Sequence, residues 1–307
     1  MNKFLHLTRL SKLFNQLINF YSVRRKSNII LDICKKNYKN EMSKELYRIA
    51  LILENYLRKQ KIPLNFLHIP FFKNSMFVSK GGTWQQLQLN LLNKKIKSSL
   101  LKTYLEEPII GFPKITNIHF FTSHNSIHHL YHLTLFCEKC KFSFDRKVEI
   151  LEFGGGYGNM AKIIRKMSPL STYSIIDIPQ FTTLQYIYLS SVFNESSVSL
   201  VDESQNIEKG KFNLLTYKRS LVNLFNKRKI DLFIATWSLS ESSKSIQNYF
   251  KRMNYFNAKY LLFAYQKNNQ MFKFAENIGI LPNSYKVIYK SGTEYIKDNY
   301  YLFARKK

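Results

Sequence analysis

Val148-Glu-Ile-Leu-Glu152-Phe-Gly154-Gly155-Gly156-Tyr-Gly158 is the stretch that decides the fold of this 307-residue chain. A mostly apolar run ends in Glu152. Glycines then recur at 154, 156 and 158, and Asn159-Met-Ala-Lys-Ile-Ile-Arg-Lys166 reads as a helix. In order these are a buried strand, a tight glycine turn and a helix N-terminus. Glycine has no Cβ, so such a turn lets the backbone lie flat against a nucleoside-type ligand. Glu152 adds a carboxylate at the strand end.

The spacing narrows the ligand. A dinucleotide turn needs Gly-x-Gly-x-x-Gly. The frame from Gly154 puts Asn159 at the third place. The frame from Gly156 puts Ala161 there and lacks a strand ending cleanly before it. The Gly-Lys-Ser/Thr of a phosphate-binding Walker loop is absent from the chain. A strand-end acid repels a pyrophosphate but suits a ligand carrying an ammonium and a sulfonium, as S-adenosylmethionine (SAM) does. Gly154, Gly155, Gly156 and Gly158 are therefore expected to cradle it. The plainer alternative, a turn with no ligand, leaves the entropic cost of the glycines without a use.

The following segments fit one sheet. Ser171-Thr-Tyr-Ser-Ile-Ile-Asp177-Ile178-Pro is a second strand ending in an acid, 25 positions after Glu152. Asp177, with Ile178 beside it, is placed to meet ribose hydroxyls; capping the helix that opens at Pro179 is the alternative. Phe212 to Tyr217 is the preferred third strand, putting Thr216 and Tyr217 near an adenine, with Val198 to Val201 as its competitor. Asp231 to Ala235 is a further buried strand. It delivers Thr236-Trp237-Ser238-Leu-Ser-Glu241 to the edge that faces ligand in doubly wound sheets. Lys259–Tyr265, a helix over Asn269–Gly279, and closing strands from Ser284 and Tyr300 complete the pattern.

Composition sets the outer limits. With 45% hydrophobic and 15% aromatic residues the chain is globular. No run reaches the roughly 18 apolar residues that a spanning helix requires. Three cysteines give no disulfide framework, which suits a reducing, cytoplasmic setting. Cys137-x-x-Cys140 is at most half a zinc site; no metal is expected. Net charge is +27, unevenly spread. Residues 1–100 hold 19 Lys/Arg against 4 Asp/Glu, residues 101–200 hold 9 against 8, and residues 201–307 hold 19 against 8. Basic flanks around a balanced centre suit anionic partners: lipid headgroups, phosphorylated glycans or nucleic acid. Solvated lysines of an AT-rich genome are the alternative.

Phe4 to Tyr21 carries apolar residues at helical spacing, with Leu7, Leu10, Phe14, Leu17 and Ile18 on one face, followed by Arg24-Arg-Lys. Such a helix can lie on an anionic membrane, peripheral at its inner face, or resemble an organellar presequence. It can also simply open a helical domain, the preferred reading. Residues 41–60, Gln85 to about Tyr104, and His124 to Cys137 continue helically. The expected organisation is a mainly helical substrate or partner domain over 1–140 and a sheet domain over 141–307.

A hydroxyl acceptor is weakly acidic, so a general base is useful. Glu241 stands on the reactive edge. His124, His128 and His132 recur every four residues on one helix face, with His129 adjacent. Three histidines on one face can also bind metal, but no acid lies between Gly111 and Cys137 to support that.

Ile150-Leu-Glu-Phe-Gly-Gly-Gly-Tyr-Gly-Asn159, Tyr173-Ser-Ile-Ile-Asp-Ile-Pro-Gln180, Asp231-Leu-Phe-Ile-Ala-Thr-Trp-Ser-Leu-Ser-Glu241 and the helical Ser126-Ile-His-His-Leu-Tyr-His-Leu133 resemble class I SAM-dependent methyltransferases. More narrowly, they resemble the sugar O-methyltransferase family of bacterial polysaccharide clusters. Ala235-Thr-Trp departs from the Asn that this family more often carries there. The resemblance implies a doubly wound, seven-stranded, mostly parallel sheet behind a helical N-terminal region. It also implies SAM on Glu152, the glycines, Asp177, Ile178, Thr216, Tyr217 and Trp237. Glu241 and His128 become the catalytic candidates. His124, His129 and Ser238 become contacts to a glycan or a nucleotide- or lipid-linked sugar. RNA methylation and an inactive, partner-binding methyltransferase-like fold are the competing functions.

Overall fold

Strand β1 (Glu149–Phe153) is buried on both faces and so occupies the middle of a sheet. The computed structural model describes residues 2–36, 38, 44–59, 63–75, 82–202, 206–218, 220, 223–225, 227–267, 281–293 and 297–307. Among them β2 (Thr172–Asp177), β3 (Val198–Leu200), β4 (Phe212–Thr216), β5 (Leu232–Thr236), β6 (Tyr260–Gln266), β7 (Tyr285–Gly292) and β8 (Asn299–Lys306) join β1 in one sheet of order β3-β4-β2-β1-β5-β6-β8-β7. The pairs among β1 to β6 are parallel; β8 runs antiparallel to both β6 and β7. The sheet thus has eight strands where seven were expected. Both competing segments pair: Phe212–Thr216 lies beside β2, and Val198–Leu200 adds a short edge outside it. Strand order reverses at β1, with β2 on one side and β5 on the other. That switch point is where a ligand crevice opens at the carboxyl ends of the strands.

Alternate residues of each strand feed two apolar layers. Ile150, Ile175, Leu214 and Ile234 face one, and Leu151, Ile176, Leu215 and Phe233 face the other. The second layer is closed by Phe250 of a helix spanning Lys244–Arg252 and by Tyr255 and Phe256.

The first layer is closed mainly from the N-terminal half. Helix α1 (Asn2–Arg24), α2 (Ser27–Lys36) and α3 (Lys44–Arg58) all pack on the helix Pro179–Phe193. That helix carries apolar residues all round, including Phe181, Leu184, Ile187, Tyr188 and Leu189, and so needs cover on every side. Short helices follow at α4 (Pro70–Ser75), α5 (Thr83–Lys95) and α6 (Ser98–Leu105). The expected continuous run from Gln85 to Tyr104 is broken at Ile96, whose backbone is extended. Helix α7 (His124–Cys140) runs one turn past its expected end and stops at left-handed Lys141. It packs on α8 (Asn159–Met167), the helix opened by the glycine turn. In chain order, Pro179–Phe193 is α9, Ser238–Glu241 is α10 and Lys244–Arg252 is α11. The helix expected over Asn269–Gly279 lies outside the described residues.

A buried ionic lock joins the halves. Lys162 of α8 and Glu107, in the segment after α6, form a 2.6 Å ion pair with side chains 0% and 2% exposed. Ser123 and Ser126 donate to Glu107 Oε1 at 2.5 Å each, and Asn125 of α7 donates to the Tyr157 hydroxyl at 2.8 Å. Burial alone would raise the Glu107 carboxyl. The Lys162 ammonium and the two hydroxyls reverse this and hold it below the ordinary carboxylate range. Removing one partner of such a pair costs about 3–5 kcal/mol, whereas replacing both with apolar groups is close to neutral. Lys162→Met is expected to lose that amount in urea unfolding, and Lys162→Met/Glu107→Leu to recover most of it.

Candidate functional site

The glycine turn closes by two approaches that no side chain permits. Gly154, at φ +74°, lies under Ser238: a Cβ built on it would sit 2.2 Å from the Ser238 Cβ. Ser238 Oγ in turn donates to the Phe153 carbonyl. A Cβ on Gly155 would come 2.8 Å from Ile175 and 3.0 Å from the Glu152 carboxylate. The turn therefore presses on β2, on its own strand-end acid, and on the residues leaving β5.

Both acids lie beneath this turn. Glu152 is 1% exposed and accepts from the Tyr173 hydroxyl at 2.9 Å. Burial pushes its carboxyl up to about 8. The Tyr173 hydrogen bond opposes that rise and the neighbouring Asp177 adds to it. Near neutrality Glu152 is mostly protonated, so it is a hydrogen-bonding member of the turn rather than the standing charge its position implies. Asp177 accepts from its own neighbour Ile178 N at 2.8 Å and from Gln185 Nε2 at 2.8 Å. Burial raises it to about 7, against the backbone N–H of Ile178, the Gln185 amide and the Gly156 and Gly155 N–H groups. Gln185 also donates to the Gly156 carbonyl at 2.9 Å. Two donors, the Ile178 N–H and the Gln185 amide, thus hold one carboxylate oxygen each, and Asp177 clamps the turn in this structure. Gln185, on α9, and Tyr173, on β2, were not singled out from sequence. Their only signal is polarity inside otherwise buried elements.

The expected adenine contacts are covered. Thr216 is buried and meets the Cys34 thiol of α2, which also reaches Thr183. Tyr217 donates its backbone N–H to the Asp177 carbonyl at 2.7 Å, and its ring packs in the second apolar layer near Phe153, Tyr249 and Phe250.

The edge after β5 is built around Trp237. Its backbone has φ +63° and ψ −32°, a strained conformation for a bulky residue. Two bonds hold it there: its N–H to the Ala264 carbonyl at 2.6 Å, and Nε1–H to Asn299 Oδ1 at 2.6 Å. The ring stacks on His128 (centroids 5.6 Å apart) and meets His132 at 5.2 Å. Trp84 of α5 approaches His128 from another side at 5.0 Å. His128 Nδ1 lies 3.1 Å from Gln88 Oε1, and His132 Nδ1 lies 2.6 Å from the Tyr301 hydroxyl. Burial keeps both imidazoles well below their ordinary pKa, so both are neutral. If Nδ1–H donates to Gln88, as the amide assignment implies, the His128 lone pair is on Nε2.

The other predicted residues are sorted by this geometry. Glu241 is half-buried on α10; its carboxyl is raised to about 7 by desolvation, the range in which a base works at neutral pH. His129 turns to α8, accepting from Asn159 Nδ2 at 3.0 Å, and is pushed down to about 3 by burial and by Lys162. It belongs with the ionic lock, away from Trp237. His124 is half-buried at the start of α7, lowered by burial and by Lys114. Ser238 is spent on the glycine turn. Two surface hollows, bordered by Ser245, Asn248 and Arg252 and by Tyr186, Ser199 and Asn206, lie away from this edge. Burial raises the Cys137 and Cys140 thiols to about 12. Among the described residues no group of three His, Cys, Asp or Glu side chains is arranged to hold a metal ion.

No protein-family model matches the chain, and no curated protein matches it. Solved structures do resemble it. A mutant form of MtNAS aligns over 92% of this chain and 97% of its own, at 10% identity and a TM-score of 0.43. Magnesium protoporphyrin IX methyltransferase from Synechocystis PCC 6803, solved with bound SAM, aligns over 73% and 97%, at 9% and 0.41. The fibrillarin pre-rRNA processing protein of Methanococcus jannaschii aligns over 54% and 69%, at 13% and 0.38.

Burial of Glu152 has a pH signature. Its folded carboxyl, at about 8, lies above the ordinary value of 4.5. The stability it contributes is therefore complete below the unfolded value and is lost as pH rises through about 8. Glu152→Gln keeps an acceptor for Tyr173 and removes the ionisation. The melting temperature of the variant is expected to match or trail the parent near pH 5 and to exceed it increasingly toward pH 9. A difference independent of pH would reject a buried, proton-holding Glu152.

Proposed function

We propose that this chain is a SAM-dependent O-methyltransferase whose acceptor is a sugar hydroxyl, carried on a glycan or on a nucleotide- or lipid-linked precursor. One observation carries the reading. Glu152 and Asp177 are two buried acids beside a turn with no side chains, and their side-chain hydrogen-bond partners among the described residues, Tyr173, the Ile178 N–H and Gln185, are all neutral. A site so short of positive charge fits a cationic ligand, and Gly155 lets the turn pack directly on Ile175 and Glu152, which keeps the acid at its base.

When bound, SAM supplies a methyl group on a positively charged sulfur, open to in-line displacement. The chain's own residues do the rest. Backbone groups of Gly154 to Gly156 position the donor, and Glu152 and Asp177 ionise beside it. Trp237 and Trp84 offer flat faces suited to a sugar ring. Glu241, poised near neutrality, or neutral His128 takes the hydroxyl proton. Alignment of acceptor and donor can supply about 7–11 kcal/mol of the barrier, and a placed base a further roughly 10²–10⁴-fold. The net charge of +27 favours a second reading, methylation of RNA. Transfer of tritiated methyl from SAM into fractionated cell lysate separates the two: label in polysaccharide or its precursors supports the first, label in RNA the second. Absence of any calorimetric heat with SAM rejects both.

Two further outcomes are expected. A cationic donor favours the ionised acids, so binding should release protons and tighten as pH rises from about 6 to about 8. Calorimetry in two buffers of different ionisation enthalpy measures the release. Glu241→Gln should keep SAM affinity and lower turnover by roughly 10²-fold or more if Glu241 is the base. Full turnover in that variant transfers the role to His128.

A further inference from the structure

Helices α1 to α3 are apolar on two faces. Toward α9 they bury Phe20 and Val23, then Ile30, Leu31 and Cys34, then Ala50, Leu53 and Leu57. On the opposite side of α1, Leu10, Phe14, Ile18 and Tyr21 recur at helical spacing and are 62%, 63%, 52% and 54% exposed. α2 adds exposed Ile29 and Ile33, and α3 adds exposed Tyr47, Leu51 and Ile52. All three helices pack on the same helix α9, and each carries exposed apolar residues besides those it buries. More than half of the exposed large apolar residues among those described fall within residues 10–52. Single exposed apolar residues are ordinary; a concentration of this kind marks an interaction surface.

Charge selects the occupant. The first 31 residues hold Lys3, Arg9, Lys12, Arg24, Arg25 and Lys26, and the first acid in the chain is Asp32. Exposed Arg25 continues the stripe four residues beyond Tyr21, and exposed Lys36 and Arg48 stand on the neighbouring helices. A second copy of the chain would set one basic face against another. RNA would satisfy the cations but offer the aliphatic stripe no apolar phase. An anionic bilayer supplies both, phosphates at the headgroups and hydrocarbon just below. No helix among the described residues is long and apolar enough to cross a membrane. We propose that the outer face of α1 to α3 docks on an anionic lipid surface, with the Leu10–Phe14–Ile18–Tyr21 stripe seated at the headgroup–acyl boundary. This docking is independent of the methyl-transfer reading.

Co-sedimentation of the full chain with vesicles tests it. The chain should sediment with phosphatidylcholine vesicles doped with phosphatidylglycerol and stay largely in solution with phosphatidylcholine alone. Phe14→Gln/Ile18→Gln should lower partitioning by about tenfold or more, and Arg25→Glu should lower it further as added salt does. These side chains are exposed, so melting temperature should not move. Unchanged partitioning of the double variant would overturn the proposal. So would equal binding to neutral and anionic vesicles, a dimer in solution that the double variant splits, or retention of RNA without retention of vesicles.

Discussion

The architecture depends on one close approach: a backbone turn lying so tightly on two acids and a serine that side chains are excluded from it. Gly154 is pinned by Ser238 and Gly155 by Glu152 and Ile175. That contact ties β1, β2 and the exit of β5 to a single point, the place where strand order reverses. It also removes water from both carboxyls. Desolvation, not mutual repulsion, is the larger cause of each raised pKa. The turn thereby stores an unmet demand for positive charge, held in check by protonation and by the Tyr173, Gln185 and backbone donors.

The second constraint is cover for α9. A helix apolar all round cannot face water, and α1, α2 and α3 supply what the sheet does not. Their placement brings Cys34 onto Thr216 and Thr183, above the end of β4. On the other flank, α7 is bolted to α8 through Glu107, Lys162, Ser126 and Asn159. The same helix then carries His128 and His132 to Trp237. The helical half thus forms part of the site's walls: α5 contributes Trp84 and Gln88, and α7 the imidazoles.

What was legible in the sequence was local. The strand–turn–helix at 148–166, the acid ending β2 and the exposed edge after β5 are written in apolar runs, glycine spacing and β-branched residues, which act over a few positions. The eight-strand count was ambiguous because a three-residue edge strand such as Val198–Leu200 has too few positions to show a pattern. The break at Ile96 was hidden because both flanking segments are good helix formers. The hydrogen-bond partners within the site were not legible. Gln185 lies eight residues beyond Asp177 on α9, where only the folded backbone brings its amide to both Asp177 and Gly156. His128 and His129 are adjacent in sequence yet serve different neighbourhoods, because successive helix positions point about 100° apart.

The charge distribution completes the logic. A chain of net charge +27 should repel a cationic donor, yet its cations lie mainly in the first and last thirds, while residues 101–200 are nearly balanced. Exposed charges are screened over about 8 Å at physiological ionic strength, whereas the buried acids act through a medium that screens far less. The near field at the turn is therefore set by Glu152 and Asp177, weakly while they hold their protons and strongly once they ionise, and the far field by surface lysines. A basic far field suits an anionic partner, and an acid-lined near field suits a small cation. The two can coexist on one molecule only because the acids are buried, and they are buried because Gly154 and Gly155 leave the turn no side chain with which to hold it away.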